Sequence, residues 1–288
     1  MKTCLMVLAA AACHAACAAT YTVTDSRFGA DGSDSADDSF AIQNALNMAK
    51  GVAGQTEVVV PDGTYLVSRP LGIYSNTKLT LSAGATIRRV VGSATKIMLF
   101  GQHLAADGTV CPRDESCTHG GHSQLRNIEI SGGVWDGGQD TESVTGAFAL
   151  THGEGISVRN AVFRHFTEHI VNFSASKDVV VEDCVFEEAL RFTGSSGEFW
   201  SYYEVGDTNR FNSIEAIHLD VANAEGEETT YPLDNAVCEN TRGANCTFRN
   251  VFAGAGNHHA IDAARQNGFV IDSCSFTGLV SYAVHAHG

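Results

Sequence analysis

Basic side chains are scarce. The 288-residue chain holds 18 Lys and Arg against 33 Asp and Glu, a formal charge of −15. A surface of that sign repels phosphate, which excludes nucleic acid as a partner. It also disfavours strongly anionic substrates unless a cation such as Ca²⁺ bridges them. Long apolar runs are missing too. Beyond the N-terminus nothing approaches the roughly 20 apolar residues that a spanning helix needs, so no membrane span is expected. No Cys-x-x-Cys pair occurs. No zinc site is legible, and apart from a bridging Ca²⁺ no cofactor is expected.

The first 19 residues, MKTCLMVLAAAACHAACAA, combine one Lys, an apolar run and a small-residue end. That is the form of a secretory signal peptide. Residues 1–19 are therefore expected to be removed and 20–288 to act outside the cell as one domain, with an N-terminal cap over 20–75. Six cysteines remain: Cys111, Cys117, Cys184, Cys238, Cys246 and Cys274. In an oxidising compartment Cys111 and Cys117, within CPRDESC, can close a small surface loop.

What repeats is a pattern of residue types. IEISGGVW (128–135), ISVRNAVF (156–163), VVVEDCVF (179–186), TRGANCTF (241–248) and FVIDSCSF (269–276) share one reading. Each is a short strand, a polar bend, a small residue or Cys, and an aromatic two positions on. Successive starts lie 28, 23, 62 and 28 residues apart; the shorter step is one turn of a coil, the long one a turn with insertions. Ala161, Cys184, Cys246 and Cys274 occupy equivalent places, as do Phe163, Phe186, Phe248 and Phe276. Both sets predict interior stacks rather than redox or ligand chemistry. A second strand recurs as HIVNF (169–173), AIHLD (216–220), AIDAA (260–264) and AVHAH (283–287). Such a unit cannot bury its apolar side alone, but copies stacked through parallel pairing can. The expected fold is all-β, a parallel β-helix.

Upstream, FGADGSDSADDSFAIQNALNMAK places Ile42, Ala45, Leu46 and Ala49 at helical spacing after a capping region. A short helix there covers the open edge of the coil. TEVVVPDGTYLVSRPL then reads strand, turn, strand. The run FGADG…DDSFAIQNAL…VVVPDGTYLVS…LSAGATI resembles the opening of the pectate-lyase-like superfamily. That group includes rhamnogalacturonases, polygalacturonases and related lyases and epimerases. The resemblance covers residues 21–90 by motif and 128–288 by rung pattern. It implies a right-handed parallel β-helix with a short N-terminal capping helix, acting on polysaccharide. It does not fix the reaction, because one fold hosts several chemistries. The rung region lacks the Asn-Thr-Asp-Gly, Asp-Asp, Gly-His-Gly and Arg-Ile-Lys segments that characterise polygalacturonases.

Candidate chemistry concentrates in SIEAIHLDVAN (213–223), where His218 and Asp220 alternate with Ile217 and Leu219. With Ile170, Ile217, Ile261 and Val284 stacked inward, the outward set is Val171, His218, Asp262 and His285. Two residues on it is Phe173, Asp220, Ala264 and His287. Strand spacings of roughly 4.8 and 6.7 Å set Asp220 and Asp262 about 8 Å apart. Carboxylates about 6.5–9.5 Å apart suit inverting glycoside hydrolysis. The expected catalytic set is thus Asp220 and Asp262 as acid and base, with His218 and His285 orienting them. In the alternative, a polysaccharide lyase, His218, His259 or Arg265 removes the proton beside a uronate carboxyl. Phe199, Trp200, Tyr202 and Tyr203 of FWSYYE offer flat faces to sugar rings, with His258 and His287 beside them as substrate contacts. No metal ligand is assigned. A third alternative is a non-catalytic glycan-binding surface module. Because the chain stops straight after a strand, missing C-terminal turns or self-association through the open end are also expected.

Overall fold

A computed structural model describes residues 19–105, 107–111, 117, 120–138, 145–189, 215–222, 232–257, 266–279 and 281–286, with the backbone of 192–193 and 198–199. Its strands form three parallel sheets of eight, seven and seven members. One turn of the coil visits each sheet in order. Leu125–Ser131 lies in the first, Val134–Asp136 in the second and Gly146–Ala149 in the third, and Gly153–Arg159 returns to the first. The fold is a right-handed parallel β-helix. No helix among the described residues is long and apolar enough to cross a membrane.

The register follows the repeat read from the sequence. Ile128, Ile156, Val179 and Thr241 pair in one row, and Trp135, Phe163, Phe186, Phe248 and Phe276 in another. The phenylalanine rings stack with centroids 5.0, 5.0 and 4.7 Å apart. Ala161, Cys184 and Cys246 are buried beside them and Cys274 is half-buried. Cys184 alongside, together with burial, pushes the Cys246 thiol well above its ordinary pKa. The polar bend is a single left-handed residue at the corner between the first two sheets. Asn160, Asp183, Asn245 and Ser273 have φ of 54, 55, 53 and 53°. Short polar side chains tolerate that region where most others are strained.

The helix Ser39–Leu46 buries Ile42, Ala45 and Leu46, and Ala49 is buried in the following 3₁₀ turn. The Gln43 side chain completes the edge of the third sheet. Gly72 N–H donates to Gln43 Oε1 at 2.6 Å, and Gln43 Nε2 donates to Gly72 O at 3.1 Å. An otherwise open strand edge is thereby occupied. Cys111 and Cys117 form a disulfide with Cα atoms 5.5 Å apart. Residues 1–18 of the expected signal peptide lie outside the described residues, and Ala19 begins the first strand.

Candidate functional site

The third sheet carries the titratable cluster. Its strand Glu215–His218 pairs on one side with Val171–Asn172 and on the other with Ala253–Gly256. Ile217 aligns with Val171 and Ala255, and His218 with Asn172 and Gly256. Val284 and His285 continue the two rows. This corrects the expected register, which set Ile217 beside Ile170 and Ile261, and His218 beside Asp262. The physical reason lies in Ala253–Gly256, sequence AGAG. It carries no bulky apolar signal, yet all four residues are buried. A Cβ on Gly256 would meet His285 O at 2.5 Å, and one on Gly254 would meet Ala283 O at 2.2 Å. The strand is built from small residues because the next backbone passes that close.

At this sheet two imidazoles lie against each other. The His169 and His218 rings stack with centroids 3.7 Å apart and planes 19° from parallel. Both Nδ1 atoms converge on one oxygen, Glu215 Oε2, at 3.1 Å from His169 and 3.4 Å from His218. Each Nε2 faces a separate carboxylate. His169 Nε2 is 3.4 Å from Glu168 Oε1, and His218 Nε2 is 3.6 Å from Asp220 Oδ2. The other oxygen of Glu215 accepts the Tyr282 hydroxyl from two turns further along the coil, which the intervening small residue Ala253 permits. Val221 N–H donates to Asp220 Oδ1 at 2.8 Å. The buried Cys238 thiol donates to Asp220 O at 3.4 Å, and burial pushes its pKa up to about 12.

The expectation of an exposed wall is also corrected. Glu215 and His218 are 0% exposed and His169 and Asp220 2%. Burial and the adjoining His169 ring disfavour charge on His218. The Asp220 and Glu215 carboxylates prevail and hold its pKa above the ordinary imidazole value. One donor atom each from His169, Glu215 and His218 lie within 4.8 Å of one another, a spacing that suits a metal ion.

Of the residues expected from sequence, the fold brings His218 and Asp220 together. His285 occupies the same row two strands on, its ring 4.6 Å from that of Tyr282. Phe199 lies in the short strand Glu198–Phe199, antiparallel to Phe192–Thr193. Trp200, Tyr202, Tyr203, His258, His259, Asp262, Arg265 and His287 lie outside the described residues. Sequence reasoning missed Glu168, His169, Glu215 and Tyr282. Glu215 and His169 stand immediately ahead of the alternating aliphatics, where a charged residue reads as a solvated strand end. Tyr282 carries no comparable signal.

Residues 22–203 match the family described as rhamnogalacturonase A/epimerase, pectate lyase-like. The chain belongs to that family. A curated relative of this pectate lyase-like chain, plasmin and fibronectin-binding protein A of Streptococcus pneumoniae, is 27% identical over 186 residues. That match covers 60% of this chain and only 25% of the relative. The solved structure of the Streptococcus pneumoniae surface protein and adhesin PfbA superposes with a TM-score of 0.67 at 22% identity. It covers 88% of this chain and 61% of that one. A hyperthermoactive exopolygalacturonase from Thermotoga maritima superposes with a TM-score of 0.54 at 13% identity, over 93% of this chain and 65% of that one. At such identities the superpositions establish the shared β-helix.

Proposed function

We propose that this protein is a secreted, carbohydrate-active member of its family that cleaves glycosidic bonds of a polysaccharide at the outer face of the third sheet. The supporting observation is the cluster of Glu168, His169, Glu215, His218 and Asp220. Burying five ionisable groups on one face opposes folding, and such groups concentrate where chemistry uses them. Asp220 is one of the two carboxylates of an inverting hydrolysis, and His218 orients it. The exopolygalacturonase neighbour is consistent with this chemistry on the same scaffold.

A second reading is a surface module that binds glycans without cutting them. The burial of Asp220 and the likeness in fold to a surface adhesin favour it. One screen separates the readings. Plant and host polysaccharides are incubated with the protein and assayed for new reducing ends and for ultraviolet absorbance of an unsaturated product. Hydrolysis yields reducing ends without absorbance, β-elimination yields both, and binding yields neither. Asp220→Asn is expected to lower kcat at least 100-fold on the substrate found, general acid–base groups contributing about 10²–10⁴. Parental activity in that variant overturns the assignment.

A further inference from the structure

We propose that His169, Glu215 and His218 form a binding site for one divalent metal ion of the zinc class. Four features of the cluster point there. First, the donors converge. Two imidazole nitrogens lie 3.1 and 3.4 Å from a single carboxylate oxygen. Ligand atoms about 2.0–2.2 Å from a shared ion sit about 3.0–3.5 Å from each other, so these separations match the edges of a coordination shell.

Second, each ring is backed by its own carboxylate. Glu168 faces Nε2 of His169 and Asp220 faces Nε2 of His218. A carboxylate behind a ligating imidazole fixes the proton on the remote nitrogen and raises the basicity of the ligating one.

Third, the other oxygen of Glu215 accepts the Tyr282 hydroxyl, which holds the carboxylate with Oε2 toward the rings. Fourth, all three ligand side chains are buried, so a bound ion is shielded from competing water. Coordination requires the stacked rings to fan apart about Cβ–Cγ, a soft torsion for imidazole. Two nitrogens and one oxygen suit Zn²⁺ and its neighbours, whereas Ca²⁺ takes an all-oxygen shell.

The inference is independent of the glycosidase reading, because metal content is measured without substrate. The full chain is stripped with a chelator, loaded separately with Zn²⁺, Mn²⁺ and Ca²⁺, desalted and assayed by mass spectrometry of the metals. One equivalent of Zn²⁺ is expected per chain, with a higher Tm than the stripped protein and no retained Ca²⁺. Co²⁺ loading should produce a visible absorption band. Glu215→Gln and His169→Ala, checked for folding by circular dichroism, should lose the ion and the band. Glu168→Gln should weaken Zn²⁺ affinity about 10–100-fold without abolishing it, and His285→Ala should retain it. Retention below a tenth of an equivalent by the folded parent overturns the proposal. So does equal retention by the folded Glu215→Gln variant, which would mean that the ion sits elsewhere.

Discussion

At the scale of single residues, a buried charge needs partners. Asp136, on the second sheet, shows the general device. Its Oδ2 accepts Arg88 Nε at 3.2 Å and Arg164 Nε at 3.1 Å, and its Oδ1 lies 2.8 Å from His165 Nδ1. Burial works against ionisation. The His165 contact, the Gly138 N–H and the Arg164 charge outweigh it and hold the carboxyl below the usual carboxylate range. A depressed carboxyl stabilises the fold above its unfolded value, near 3.9, and that contribution fades as pH falls through the lower folded value. Asp136→Asn should therefore cost about 1–3 kcal/mol in urea unfolding at pH 7. Its gap from the parent should narrow progressively below about pH 4. A gap of constant size between pH 7 and pH 2.5 would show that Asp136 acts by packing alone.

At the scale of elements, the strands are short, and small residues decide how closely turns of the coil approach. Ala253–Gly256 is the clearest case. A Cβ at Gly254 would meet Ala283 O at 2.2 Å and the Phe276 ring at 2.6 Å. The ring can shift; the backbone carbonyl cannot without disturbing the next strand. Gly254→Ala should cost about 1–3 kcal/mol by overpacking, read as a lower urea midpoint with unchanged slope. A neutral result would mean that the two turns lie further apart than described. This strand also explains the mistaken register. Pattern reading follows aliphatic alternation, so it passed over AGAG and took up AIDAA seven residues later. Where an aromatic marked each turn, as in the Phe row, the same reasoning located five successive rungs.

At the scale of the whole molecule, a β-helix is quasi-one-dimensional, and each turn is stabilised chiefly by its two neighbours. The rung holding Val270–Asp272, Ser275–Thr277 and Val284–His285 has a neighbour on one side among the described residues. Its Val284 is 45% exposed, whereas its row partners Ala255, Ile217 and Val171 are sealed. Backbone amides of 125–189 should accordingly exchange at least 100-fold more slowly than those of 270–285 in hydrogen-exchange mass spectrometry. Uniform protection would indicate that the last rung is covered by another chain. The sequence by itself determined the coil, its corner residues, its interior Cys and Phe rows, the capping helix and the neighbouring places of His218 and Asp220. Each rests on local periodicity or on left-handed preference, properties carried by residues near one another in the chain. Only the tertiary structure decided that His169, Glu215 and Tyr282 join them, and that the group is buried. Glu215 and Tyr282 are brought together across 67 residues by stacking, and no local pattern encodes which strand ends a coil will superpose.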